Sequence, residues 1–206
     1  MKTLAIDLSS ARGSIAFLAK RTDPVVREWD NNRKHSGLFF ENLQNVIRQF
    51  GAPELIVVGL GPGSYAGTRI AISAAIGLQQ ASPARLIGVP SICAFDIGES
   101  EYWVIGDARR QSFFSAHVRN NAYEKIELST ESDLRQRLES LPPEMAVVTS
   151  EKRPQFPRAT LDYPSALVLA NLAERGKYNE VTPLEPIYLR EPHITIPKTP
   201  VQSNIK

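Results

Sequence analysis

The sequence predicts an α/β protein built as two related lobes. Two observations carry this reading. The order strand, strand, strand, helix, strand, helix occurs twice in 206 residues, and each half opens on a hairpin whose first strand ends in an aspartate, Asp7 or Asp107. A third observation is the run LIVVGL, residues 55–60, which is apolar on both faces and β-branched, as a buried central strand requires. The boundary between the halves falls near residue 100, giving an N-terminal lobe over 1–99 and a smaller C-terminal lobe over 100–206.

Each element follows from its local pattern. Over residues 3–8, Leu4, Ile6 and Leu8 alternate with Thr3, Ala5 and Asp7, which makes a strand. Residues 9–13 form a turn, and SIAFLA (14–19) returns as the second strand. PVVREW (24–29) is a third strand, with Pro24 tolerated at its first residue. Residues 35–50 are helical, because Phe39, Leu43, Val46, Ile47 and Phe50 recur every three or four positions and Gly51 supplies the stop. After the glycine-rich loop, residues 69–80 form a second helix, LIGV (86–89) a strand, and SICAFDIG (91–98) a short helix. YWVIGD (102–107), the turn ARRQ and SFFSAHV (112–118) make the second hairpin, with YEKIEL (123–128) as its third strand. Thr130 and Asp133 set a capping-box start for a helix through Leu141. AVVTS (146–150) is a strand, and residues 165–175 a helix closed by Gly176. From Tyr178 onward, Pro183, Pro186, Pro192, Pro197 and Pro200 predict an extended surface tail.

Composition narrows the function classes. The net charge is +2 and like charges occur only in short pairs such as Arg109-Arg110, which gives no nucleic-acid footprint for this chain alone. The single cysteine, Cys93, excludes an internal disulfide and reads as a small packed hydrophobe. No apolar segment approaches the roughly 20 residues of a membrane span. MKTLAIDLSS reads as a strand rather than a signal peptide, so a cytoplasmic protein is expected. His35, His117 and His193 stand singly, without H-x-x-x-H or HExxH spacing, so no metal site is expected. Ser64 follows Gly63 in the wrong frame for a G-x-S-x-G nucleophile elbow.

The loop GLGPGSYAGTRI, residues 59–70, matches G-x-G-x-x-A through Gly61, Gly63 and Ala66. The dinucleotide fingerprint, however, belongs to a first βα turn with a carboxylate roughly 20 residues on. Here the loop follows a fourth strand, and the next strand ends Gly88-Val89-Pro90-Ser91. A phosphate-cradling P-loop fails too, because Gly67 precedes Thr68 and Arg69 and no lysine lies between Lys34 and Lys125. What survives is a structural loop: Gly61, Gly63 and Gly67 permit positive φ and close backbone approach, and Pro62 stiffens the turn. The helix beyond carries small residues, Ala71, Ser73, Ala74, Ala75 and Gly77, that suit tight packing on its own sheet or on a second protein. Ile70, Ile72, Ile76 and Leu78 are expected to fill the lobe's core. Arg69, placed at the first helical turn against the dipole, is expected to pair with a carboxylate in the loop or on a partner.

The hairpin with IDLSS, the loop GPGSYAGTR, the stretch GDAR at 106–109 and the late LEPIYLR (184–190) occur in the order of one family, and the His35-Ser36 helix opening matches it as well. Together they resemble the TsaB (YeaZ-type) family, the non-catalytic component of bacterial tRNA threonylcarbamoyladenosine synthesis, over residues 1 to about 190. The family loop is close to GPGSFTGLR, so Tyr65, Ala66 and Thr68 depart from it, as does Leu38–Glu41, where the family usually carries a proline.

The resemblance implies an actin-like ATPase fold (ASKHA, ribonuclease H-like): two related lobes, mixed central sheets and eroded nucleotide machinery. It implies a heterodimer with a TsaD-like subunit through the helices over 35–50 and 69–80, with a TsaE-like ATPase docking near the junction. That complex would threonylcarbamoylate the adenosine next to the anticodon in ANN-decoding tRNAs, and this chain would do no chemistry itself. His35, Phe39, Leu43, Arg69, Ser73, Ala74 and Gly77 are then the partner-binding candidates. A homodimer is expected when the chain is alone, and tRNA is reached only through the complex. Asp7 and Asp107 sit where actin-like proteins approach Mg²⁺ and phosphate; here they are vestigial nucleotide positions with at most weak ATP or ADP binding, or turn-capping residues. The rival reading is a small ATPase or sugar kinase using Asp7 and Asp107 around Mg²⁺.

Overall fold

The computed structural model describes residues 1–31, 37–180 and 183–190. The first half supplies β1 (Thr3–Asp7), β2 (Arg12–Leu18), β3 (Val25–Asp30), α1 (Gly37–Phe50), β4 (Leu55–Gly59), α2 (Tyr65–Gln80) and β5 (Arg85–Val89). The second half supplies β6 (Glu101–Asp107), β7 (Phe113–Arg119), β8 (Ala122–Ser129), α3 (Glu131–Ser140), β9 (Ala146–Thr149), β10 (Thr160–Leu161) and α4 (Ala166–Glu174). The sheets have the orders β3-β2-β1-β4-β5 and β8-β7-β6-β9-β10. In each, the first three strands are antiparallel and the last two run parallel to the first. One topology is thus built twice, and the fold is the actin-like, ribonuclease H-like one with two mixed sheets.

Three apolar layers follow from strand alternation. Leu4, Ile6, Ile15, Phe17, Ile56 and Val58 point to the outer face of the first sheet and are covered by α1 and α2. Ala5, Ala16, Leu55, Val57, Ile87 and Val89 point to its inner face, in a core that continues through α4 to Tyr102, Val104 and Phe114 of the second sheet. The outer face of the second sheet packs Ile105, Phe113 and Val147 against Leu134 and Leu138 of α3.

Helix ends are set by side chains. Thr130 Oγ1 accepts from Asp133 N at 3.3 Å and donates to Asp133 Oδ2 at 2.7 Å, which starts α3 where the capping-box pattern places it. Arg158 closes the same helix, donating to the carbonyls of Leu138 (2.6 Å), Leu141 (3.0 Å), Met145 (3.2 Å) and Pro142. α2 begins at Tyr65, not Arg69, because Ser64 Oγ accepts from Gly67 N at 3.2 Å as its N-cap. SICAFDIG does not form the expected helix; only Ser91–Cys93 makes a single 3-10 turn. Ile92, Cys93, Ala94 and Phe95 are all buried in succession, which a helix with one inward face cannot achieve. The predicted helix start at His35-Ser36 lies outside the described residues.

α4 follows the second sheet in sequence but lies on the first. Its Ala166 N donates to Ser14 Oγ of β2 at 3.1 Å, and Thr3 Oγ1 of β1 donates to Glu174 Oε1 at 2.6 Å, so both ends are tied to the first sheet. Leu169, fully buried at its centre, is the inner layer's keystone. Leu169→Ala is expected to lose about 2–5 kcal/mol of stability. Urea unfolding followed by tryptophan fluorescence checks this.

Candidate functional site

The glycine loop lies directly on the β1–β2 turn. Ser64 N donates to Ser9 O at 2.6 Å. A Cβ on Gly63 would run into that same carbonyl, and one on Gly67 into the carbonyl of Leu8. A Cβ on Gly59 would strike the Asp7 carboxylate. The close approach that the glycines admit is therefore that of the chain's own backbone. Gly61 has φ +84, and its amide donates to Ser91 Oγ at 3.0 Å; Pro62 is buried behind it.

Asp7 sits beneath this contact with no solvent exposure. Its Oδ1 accepts from Ser9 N (2.8 Å) and Ser9 Oγ (2.7 Å), and its Oδ2 from Ser91 Oγ (2.6 Å). Burial raises its carboxyl above the ordinary value, and the three donors pull the other way. Asp7, expected as a vestigial nucleotide position or a turn-capping residue, makes the capping bonds and braces the first hairpin to the segment after β5. Asp107 is different: it lines the cleft between the lobes, accepts from Arg109 N (2.7 Å) and Arg109 Nη1 (3.1 Å), and forms an ion pair with Arg153 Nη2 at 3.3 Å. Both aspartates thus make turn-capping bonds to a residue two positions on, and only Asp107 faces open space.

That cleft has a volume of about 820 Å³. Its walls are the β1–β2 turn with Ser9 and Ser10, the glycine loop, the turn Asp107–Arg110, and the stretch Pro186–Arg190. Among the described residues no histidine or cysteine lines it, and Ser64 is occupied as a helix cap. Among the described residues no group of three or more His, Cys, Asp and Glu side chains comes together to hold a metal. Cys93 is buried, and desolvation pushes its thiol up to about 11, as a packed hydrophobe's would be.

A second concave surface lies between α1 and α2. It is a groove of about 680 Å³ lined by Phe40, Leu43, Ile47 and Leu78, with Glu41, Gln44 and Arg48 at its rim. Leu38 (42 % exposed), Phe40 (51 %), Tyr65 (56 %) and Ile76 (39 %) are large apolar side chains left in solvent on these two helices. Of the partner-binding candidates, Phe39 and Leu43 are buried in the monomer, Phe39 stacking on Trp29 at 6.4 Å. Phe39 belongs to the core face of α1, whereas Leu43 reaches from that face into the groove. Ser73, Gly77 and Arg69 are exposed and Ala74 half-buried, whereas Ala71 and Ala75 are fully buried on the sheet. The small-residue surface of α2 is thus divided, and Ile76, expected in the core, is outside. Arg69 stands in the second helical turn, where the dipole no longer opposes it. It donates to the Tyr65 hydroxyl, lies 5.0 Å from that ring's centre, and has no carboxylate partner among the described residues. His35 lies outside the described residues.

Sequence names neither Phe40 nor Leu38 as a partner contact, and it places Ile76 in the core. The signal was present: Leu38 and Phe40 flank Phe39 and so cannot share its inward stripe, and an apolar residue off that stripe has no partner within the lobe.

Two solved structures share this architecture. A protein from Pseudomonas aeruginosa described as uncharacterised with similarity to peptidase YEAZ superposes with a TM-score of 0.71 at 22% identity, covering 92% of this chain and 99% of that one. YeaZ from Pseudomonas aeruginosa superposes with a TM-score of 0.69 at 19% identity, covering 91% of this chain and 100% of that one. No protein-family model matches the sequence, and no curated protein matches it.

The Asp7 brace has a pH signature. Because its folded-state value is raised above 3.8, the stability that its protonation contributes is fully present below that pH and is lost as pH rises through the folded value. Relative to Asp7→Asn, the parent chain is therefore expected to gain stability as pH falls through the interval just above 3.8. Parallel urea titrations of the two proteins measure it.

Proposed function

We propose that this chain is a non-catalytic, TsaB-type subunit that activates a TsaD-like partner by docking through the α1–α2 face. The observation that carries the proposal is the apolar groove between these helices together with exposed Phe40 and Ile76. A monomer gains nothing from holding such side chains in water, and a partner that covers them does. Arg69, Ser73, Ala74 and Gly77 lie along the same helix, on or near that face, so they remain partner contacts in this reading. Leu43 reaches the floor of the groove, and Phe39 acts behind it, by holding α1 on the sheet.

The YeaZ-like architecture supports the same reading, as do the four sequence motifs in register. The role follows from it: a scaffold in threonylcarbamoylation of the adenosine beside the anticodon, joined by a TsaE-like ATPase, meeting tRNA through the assembly. Without its partner the chain is expected to self-associate on the same face. The protein would work in the cytoplasm.

The rival, a small ATPase or sugar kinase, has the cleft and Asp107 in its favour. It requires Asp7 to meet Mg²⁺, yet Asp7 spends both oxygens on Ser9 and Ser91 behind the loop. Weak ATP or ADP binding is compatible with the cleft; turnover is not expected.

Co-purification with the TsaD-like protein of the same organism tests the proposal. Phe40→Glu and Ile76→Glu are each expected to weaken the complex about 100-fold, near 2.7 kcal/mol, with the thermal midpoint of the isolated chain unchanged. Absence of any complex with the parent chain, or sustained phosphate release from ATP by the chain alone, contradicts it.

A further inference from the structure

The segment LEPIYLR belongs neither to the partner face nor to a helix or strand, yet it makes contacts with both lobes. Upstream, Glu180 pairs with Arg85 of β5 at 2.6 Å. Leu184 packs on Leu60 and over Gly88, where a Cβ would come within 2.6 Å of Leu184 Cδ2. Ile187 N donates to Leu60 O at 2.8 Å, and the Tyr188 ring lies 5.6 Å from that of Tyr65 at the start of α2. The chain then crosses the cleft. Arg190 Nε donates to Ala108 O at 3.1 Å, and its Nη2 donates to Ser112 Oγ.

The turn that receives Arg190 is unusual. Arg109, Arg110 and Gln111 have φ of 64, 53 and 58, three non-glycine residues in succession in the left-handed region. Such conformations persist where surrounding structure over-determines them. Arg190 grips the residues on either side of that run, Ala108 and Ser112, and Asp107 holds Arg109 from below.

We propose that Pro183–Arg190 is a clasp across the mouth of the cleft, fastened to the first lobe at Leu60 and Tyr65 and to the second at Ala108 and Ser112. The inner core joins the lobes at the base of the cleft, and the clasp joins them at its open side. Together they close a ring that fixes the angle between the two sheets. Separating the lobes, or relaxing the left-handed turn, requires release of Arg190. This stands apart from the proposed partner and holds for the isolated chain.

The test is a distance measurement across the lobes by pulsed electron paramagnetic resonance in the full-length chain. Spin labels go on Arg27→Cys of β3 and Glu139→Cys of α3, both exposed and away from the α1–α2 groove. Buried Cys93 is left unlabelled. The parent is expected to give one narrow distance distribution. Arg190→Ala is expected to broaden it and to speed hydrogen exchange of the Ile187 amide, which Arg190 does not touch, about tenfold. Arg190→Lys restores part of the narrow distribution. Tyr188→Ala, which breaks no hydrogen bond, is expected to broaden it too, and decides the matter if Arg190→Ala does not fold. Unchanged distributions in the folded variants overturn the clasp, as does faster exchange confined to residues 108–112.

Discussion

The contact between the glycine loop and the β1–β2 turn is the constraint from which the rest of the site follows. Backbone meets backbone where Gly63 and Gly67 lie on the carbonyls of Ser9 and Leu8, and any side chain there would force the two apart. The contact brings Ser91 and Ser9 to Asp7, so that a fully buried carboxylate finds three donors instead of water. Capped by Ser64 and seated by Gly67, α2 is held against the outer face of the sheet and its far side is turned to solvent. One short loop therefore seals Asp7 away from the cleft and orients the helix that offers the partner surface.

The division of labour on α2 shows how packing decides between two uses of small residues. Ala71 and Ala75 face the sheet and let the helix axis come close, while Ser73 and Gly77 face outward beside Ile76. Small size at the first pair serves density in the core. At the second it leaves room for whatever covers the groove. On α1 the same sorting sends Phe39 inward and Phe40 outward, although the two rings touch at 4.9 Å.

Much of the fold was legible because it was written in periodicity. The twofold repetition of hairpin, strand, helix and strand, the alternation in β1 and the capping box at Thr130 each state a local choice that agrees with the global one. The failures have physical causes. SICAFDIG, expected as a short helix, is a strip of core, with Ile92, Cys93, Ala94 and Phe95 buried in succession between the lobes. The sequence pattern starts α2 at Arg69 because the glycines of the loop hide a cap: Ser64 serves as one only once Gly67 N is brought to it. α4 was rightly placed as a helix, but no local pattern tells which sheet it covers; its bonds to Ser14 and Thr3 are 152 and 171 residues away in sequence. The site was half legible. Sequence marked Asp7, Asp107 and the glycines as special without showing that Asp7 points away from the cleft. It marked α1 and α2 for a partner, naming outward Arg69, Ser73 and Gly77 on α2 but buried Phe39 and Leu43 on α1.

The central claim is that these glycines serve the chain's own closure. Replacing Gly63 with alanine and following urea unfolding of the isolated chain, with neither nucleotide nor partner present, tests it most directly. If the loop exists to admit Ser9, the variant loses about 1–3 kcal/mol from overpacking alone. An unchanged unfolding curve, with only nucleotide or partner binding impaired, would mean that the glycines are kept for a ligand and would contradict the account.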